Sequence, residues 1–350
     1  MTAVRAPSSV LTRFVVATRF MPVYIALVVL VAVAAIWVPA TLSGPALSAV
    51  APFGALLGLA ALGQMLVIMT AGIDLSVPGT MTISALIVVG VGQQSDDRLL
   101  LAIGTAIGVA ALIGLVNGIL IGALKLNALI VTLAVGSVVL GLVSRYVLTF
   151  PVQTPVPPAL VEWTTTRIFG VSPVFWVGVA ATLVVVLALR YTTIGRRFQV
   201  VGANPVASNV VGVRVTLNQV MVYVVAAVFY SIAGIALAGI LRNPGVNIAS
   251  PYLLGPIAAV VIGGASLTGG LASPLSTFAA AMFLTGLNQM MRAMGLPTSL
   301  QFVVFGLVII GGMLVSGDRI IKGVEQLLRE RRKSGRTNER EPTKSIESTG

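Results

Sequence analysis

The chain has 350 residues, 57% of them hydrophobic and 9% charged, with a net charge of +12 and a mean hydropathy of +1.03. Soluble domains carry about 25% charged residues, so a water-soluble fold is excluded and an integral membrane protein is expected. The sequence contains neither cysteine nor histidine, which excludes disulfide scaffolding, thiol catalysis, Cys/His zinc sites and a histidine general base.

The apolar residues come in helix-sized blocks rather than the short alternating stretches of a β-barrel, so the expected fold is an all-α polytopic bundle. Basic residues sit at helix ends and in the C-terminal tail, the pattern of membrane topology; no nucleic-acid partner is expected. Arg5, Arg13 and Arg19 precede an apolar run from Pro22 to Val38. That pattern is similar to a signal peptide, but the length of the run and the many later spans predict an uncleaved first helix.

In chain order, ten membrane segments are expected, at about 22–38, 47–69, 78–92, 99–123, 127–149, 173–189, 217–241, 253–266, 270–291 and 299–316. Several fall short of the ~20 residues a span needs and read as half-helices. With the N-terminus inside, seventeen basic residues face the cytoplasm and five face out, or eight against five without the tail. The positive-inside rule thus predicts an N-in, C-in topology. An N-terminal segment (1–21), a transmembrane domain (22–322) and a basic, disordered cytoplasmic tail (323–350) follow.

The second and third segments are joined by Gly72-Ile73-Asp74-Leu75-Ser76-Val77-Pro78-Gly79. Asp74 is the only acidic residue in the first ninety-five positions. A carboxylate at the centre of a membrane helix costs roughly 2.5–3.5 kcal/mol, so it needs a wet or paired environment. Gly72, Pro78 and Gly79 interrupt the helix around it. The stretch reads either as a polar turn or as the irregular backbone of a working site. The charge distribution places it at the inner end of the two helices, where water or a backbone cap would solvate the carboxylate, and Asp74 is expected to be an inner-gate or helix-capping residue.

Further along, Gly104, Gly108, Gly114, Gly118 and Gly122, and later Gly234 and Gly239, have spacings that suit close helix packing. Residues 150–172 form an outer loop stiffened by Pro151, Pro155, Pro157 and Pro158, with Trp163 expected near the headgroups. The only long inner loop is 190–216. In it Asn204 and Pro205 predict the start of a short surface helix over Val206–Val211, with Gly212 ending it. In the second half, Gly263-Gly264-Ala265-Ser266-Leu267-Thr268-Gly269-Gly270 repeats the break of the first half without its carboxylate. Duplicated halves with interrupted helices are a transporter signature.

Few polar side chains lie within the apolar segments; among them are Gln64, Asn117, Thr132, Ser276 and Asn288. Amides and hydroxyls of this kind suit a neutral polyol or sugar, and they also join helices. A proton relay would show several buried carboxylates or histidines, and no G-x-x-x-x-G-K-[ST] phosphate loop occurs. The chain is therefore expected to be non-catalytic, without cofactor or metal, and to draw its energy from elsewhere. A stand-alone secondary transporter or channel with ion coupling at Asp74 is the alternative.

Four stretches carry a family resemblance. They are Gly72 to Val77; Asn117-Gly118 with Lys125 and Ile130-Val131-Thr132-Leu133; Thr193-Ile194-Gly195-Arg196 and Gly202-Ala203-Asn204-Pro205 with Ala207 and Gly212; and Ile257 to Gly264 with Gly269-Gly270. Their order and spacing resemble the membrane-spanning permease of ribose-type ABC sugar importers. Branched-chain amino-acid permeases share the wider pattern, although their first motif usually differs. Pro78 stands where the family commonly has glycine, and the outer loop follows it only loosely.

The resemblance implies a permease in the bacterial inner membrane that passes a monosaccharide or polyol. Its implied partners are an ABC ATPase subunit or fused double ATPase, an extracytoplasmic sugar-binding protein and a second permease copy or homologue. It also implies that the inner loop around Ala203, Asn204, Pro205, Ala207 and Gly212 docks the ATPase. Asp74, Ser76, Asn117, Thr132, Gly263, Gly264, Ser266 and Asn288 are the expected gate or pathway residues.

Overall fold

The structure, a computed structural model, describes residues 19–149 and 155–316. Most of the expected N-terminal segment, with Arg5 and Arg13, lies outside the described residues, as do Pro151 and the tail from 323.

Each of the ten apolar segments is helical. They are α1 (Met21–Trp37), α2 (Gly44–Met69), α3 (Val77–Gly92), α4 (Leu99–Gly118) and α5 (Ala128–Thr149). Then α6 (Pro158–Thr165), α7 (Pro173–Tyr191), α8 (Thr193–Ala203), α9 (Pro205–Val210) and α10 (Val215–Leu241) follow, and finally α11 (Gly255–Ile262), α12 (Pro274–Ala293) and α13 (Thr298–Ser316). Among the described residues, five stretches are long and apolar enough to cross a membrane, Gly44–Met69, Asp96–Ala123, Ala128–Val147, Pro173–Tyr191 and Val215–Leu241. Helix α11 has 8 residues, about 12 Å of rise, so the expected segment at 253–266 is a short helix followed by a break.

Helix α2 is the axis of the bundle. Every residue from Gly54 to Met69 is buried, as expected of a helix that is apolar all round. Around it pack α7, α10, α11 and α12, and α10 in turn carries α3 and α4 on its far side. Small residues set these distances. A β-carbon on Gly58 would lie 2.5 Å from the Phe278 ring of α12. One on Gly114 would lie 2.8 Å from the Val224 Cα of α10, and one on Gly118 2.7 Å from the Val220 Cα. The expected small-residue seam is therefore real for Gly114, Gly118 and Gly122. Gly104 and Gly108 do not belong to it: among the described residues nothing lies within 4 Å of their would-be β-carbons, because they sit on a side of α4 that no other described helix covers.

Two connections hold more structure than expected. The 150–172 loop contains α6, which begins at Pro158 directly after Pro157. Proline at a helix start is pre-organised for the first turn, so these prolines nucleate a helix as well as stiffening a loop. Helix α6 buries Leu160 and Thr164 and packs on α10, while Trp163 stays 40% exposed. The 190–216 connection contains α8 before the expected short helix. Its start is capped by Thr192, whose Oγ1 accepts from the Gly195 N–H at 3.1 Å.

The two faces of α4 make a paired test. Gly114→Leu forces a side chain against the α10 backbone, which cannot yield as a side chain would. It should destabilise the detergent-solubilised protein by about 3 kcal/mol, the upper end for overpacking. Gly104→Leu should stay within about 0.5 kcal/mol of wild type. Equal thermal denaturation profiles for the two variants would contradict the packing.

Candidate functional site

The break between α2 and α3 doubles back on its own helix. After Met69, Ala71 takes a left-handed φ of 61°, and the Gly72 N–H returns to the Val67 carbonyl at 3.1 Å. The chain then climbs beside α2 until Asp74 is level with Gln64. With its amide assigned by its hydrogen-bond partners, Gln64 donates to the Asp74 carbonyl at 3.0 Å and to the Tyr230 hydroxyl at 3.1 Å, and accepts from the Asp74 N–H at 3.1 Å. Met69 is five positions on from Gln64, so Asp74 lies about 7.5 Å in from the end of α2.

Asp74 is 1% exposed. Of the two expected ways of solvating it, the structure supplies the cap and not bulk water. Its Oδ1 accepts from the Ser76 N–H at 2.8 Å and from the Ser76 hydroxyl at 2.6 Å. Asn117 of α4 donates through Nδ2 to the same hydroxyl at 2.9 Å. Thr132 of α5 accepts from the Leu75 N–H at 2.9 Å and lies 3.2 Å from the Ile73 carbonyl. Asp74, Ser76, Asn117 and Thr132, expected separately from the sequence, thus form one buried cluster that ties the break to α4 and α5. Asp74 Oδ2, Asn117 Oδ1 and the Tyr223 hydroxyl are buried without a hydrogen-bond partner among the described residues.

The second break, between α11 and α12, holds Gly263, Gly264 and Ser266. Gly264, Gly269 and Gly270 all have positive φ (86°, 92° and 83°), which lets the chain fold into a compact turn closed by the Ser266 N–H on the Leu271 carbonyl at 2.9 Å. Arg19 reaches in from before α1 and donates through Nε to the Gly264 carbonyl at 2.6 Å. The carboxylate break thus has as its counterpart a break held by a cation, which suits the C-terminal end of α11.

The two breaks meet. The Gly270 N–H donates to the Met69 carbonyl at 2.8 Å, which satisfies an orphan acceptor at the end of α2. Gly202, near the end of α8, is pressed into the same place. A β-carbon there would run into the Met69 carbonyl and lie 3.0 Å from the Gly270 nitrogen.

Helix α9 continues from α8 as expected. Asn204 caps it by accepting from the Ala207 N–H at 2.9 Å, Pro205 opens it, and Gly212 follows at φ 80°. The Ser208 hydroxyl bonds back to the Val200 carbonyl of α8 at 3.0 Å, so the two helices form one unit. Ala203, Asn204, Pro205 and Ala207 are exposed. Beside them Val206, Val210 and Val211 are 76%, 83% and 73% exposed, an apolar face presented to the surroundings. Asn288 stands apart from both clusters, near the C-terminal end of α12.

Reading the sequence alone misses Tyr223 and Tyr230 of α10 and the part played by Gln64. The available signal is a tyrosine pair seven residues apart, on one helix face, in a segment otherwise apolar. It also misses the partnership of Gly202 with Met69, because 133 positions separate them.

The sequence pattern of a family described as "Branched-chain amino acid transport system / permease component" matches residues 46–313. The ribose import permease protein of Escherichia coli K12 is 30% identical over 265 residues, covering 74% of this chain and 81% of the relative. The galactose/methyl galactoside import permease protein of the same organism is 29% identical over 308 residues, covering 82% and 91%. Its galactofuranose transporter permease protein is 32% identical over 272 residues, covering 76% and 79%. No solved structure matches. These relatives lend the ion-coupled alternative no support.

The cap on Asp74 predicts a graded response. Asp74→Asn keeps an oxygen acceptor for Ser76 and should cost about 1 kcal/mol. Asp74→Ala strands the buried Ser76 N–H and should cost about 1–3 kcal/mol beyond that. Thermal melts of the two variants check the order, and uptake by Asp74→Asn should be lowered without acquiring a proton dependence.

Matched across more than half its length, and with sugar import permeases among its relatives, the chain belongs to the branched-chain amino acid transport system permease component family.

Proposed function

We propose that this permease passes a monosaccharide or polyol into the cytoplasm of a bacterium, as part of an importer driven by a separate ABC ATPase. The substrate class is supported by the ribose, galactose and galactofuranose systems of its relatives. A neutral substrate also accords with the interior, whose buried polar groups are mainly amides and hydroxyls. Orientation follows from charge. With the N-terminus inside, α8 and α9 face the cytoplasm with Arg190, Arg196, Arg197 and Arg214 around them, and the delivery protein meets the opposite face.

The observation that carries the mechanism is the junction at Met69. The α8–α9 unit offers the ATPase an exposed apolar face, and its Gly202 touches backbone belonging to both broken segments. Movement of the ATPase is thereby delivered to both breaks through backbone contact. The breaks are the inner gate. Irregular backbone at membrane depth is tolerated where it lines a cavity or is buried in protein, and paired broken helices at the repeat interface are where many transporters build their working site. The unpartnered Asp74 Oδ2, Asn117 Oδ1 and Tyr223 hydroxyl supply bonding capacity for a second arrangement of the cluster. The chain itself carries out no covalent step.

Two variants separate docking from transmission in vesicles reconstituted with the ATPase and the binding protein. Ala207→Arg places a charge in the docking face and should abolish uptake and ATPase association while leaving membrane insertion intact. Gly202→Ala should preserve association but uncouple ATP hydrolysis from uptake. Normal uptake by Ala207→Arg would remove the docking assignment, and solute movement in vesicles without any ATPase would remove the importer reading itself.

A further inference from the structure

A cavity of about 440 Å³ opens at the end of the bundle opposite α9. Phe53, on its wall, is sixteen residues up α2 from Met69, or about 24 Å along the helix. Small-molecule sites run from about 300 to 1,000 Å³, so a single sugar ring fits with water to spare. Two aromatic rings, Phe53 and Tyr252, line it, and α12 contributes Thr285, Asn288, Gln289 and Arg292.

These α12 residues are three, four and seven positions apart, which places them in one stripe along the helix. The preceding turns of α12 bury Ala280, Ala281 and Leu284 in the core. A stripe of amides and a guanidinium on a membrane helix is costly against lipid, and such groups face a bundle interior or a water-filled cavity. Thr285 is already satisfied, donating to the Ala281 carbonyl at 2.8 Å. The amides of Asn288 and Gln289 make no side-chain hydrogen bond among the described residues and are free to serve the contents of the cavity. Each carries both donors and an acceptor, matching a hydroxyl in either role. Among the described residues that line the cavity none is acidic, which disfavours a cation.

We propose that this cavity is an outer vestibule that binds a neutral sugar on its way in. Asn288 and Gln289 hydrogen-bond ring hydroxyls while Phe53 and Tyr252 offer flat apolar faces to the C–H side of the ring. The proposal rests on the importer reading and its inward N-terminus, which put this end outside.

The chain has no cysteine, so Asn288→Cys provides a single thiol. In right-side-out vesicles holding the full transporter, a charged membrane-impermeant thiol reagent should label that variant, and millimolar D-ribose or D-galactose, whichever the wild type imports, should slow the labelling. Asn288→Ala combined with Gln289→Ala should lower uptake on the order of tenfold, the effect of two lost neutral hydrogen bonds, at an unchanged membrane level. Asn288→Gln, which keeps an amide, should restore most of it. Labelling that the imported sugar does not slow, together with wild-type uptake by the double variant, would overturn the vestibule. Labelling by a lipid-soluble maleimide alone would also overturn it and identify a lipid-filled groove. A wild-type complex that imports neither sugar nor any other monosaccharide would instead defeat the importer reading, and the vestibule with it.

Discussion

The Met69 carbonyl is where the fold is tied together. It ends the central helix, accepts the Gly270 N–H of the second break and is touched by Gly202 of the α8–α9 pair. Away from water each backbone polar group must find a partner within the protein, so a helix whose end is buried needs another piece of backbone to finish it. Here the second half of the chain finishes the helix of the first. Because glycines supply the contact, no side chain intervenes that could absorb a displacement. The α8–α9 pair thus abuts both breaks through backbone.

The same requirement explains how the two breaks differ. At the first, the freed backbone is held by side chains of neighbouring helices: Gln64 pairs with both peptide groups of Asp74, and Thr132 takes the Leu75 N–H. The carboxylate is then capped by the residue two positions on, as Asx turns do elsewhere. At the second, glycines permit a turn that closes on itself, and Arg19 supplies the charge that the loop lacks. Opposite charges thus steady the two breaks, one drawn from within the loop and the other from before α1.

The far end of the bundle is built differently. Near the junction the polar groups are bonded mainly to one another, whereas the α12 stripe faces open space between α2 and α10. One end of the bundle is thus tight and glycine-lined, and the other is open and amide-lined. The rigid axis of α2 joins them: every residue over its last four turns is buried, and close-packed helices move as bodies rather than bend.

Membrane class, helix positions and the short helix at Asn204–Pro205 were legible because they depend on local properties. Runs of apolar residues declare a segment whatever surrounds it, and a cap such as Asn204 acts within three residues of itself. Asp74, Ser76, Asn117 and Thr132 could be picked out singly because a polar group in an apolar segment is costly enough to need a reason. What the sequence could not disclose was their company. That Gln64 holds the Asp74 backbone, that Arg19 reaches Gly264, that Gly202 meets Met69 and that no described helix packs on Gly104 are all decided by how helices stack. Stacking depends on the whole surface of each helix, and no single residue encodes it. The sequence by itself determined a polytopic helical permease with two interrupted hairpins. Only the tertiary structure decided that the hairpins touch, since contact between distant backbones is a property of the packed bundle.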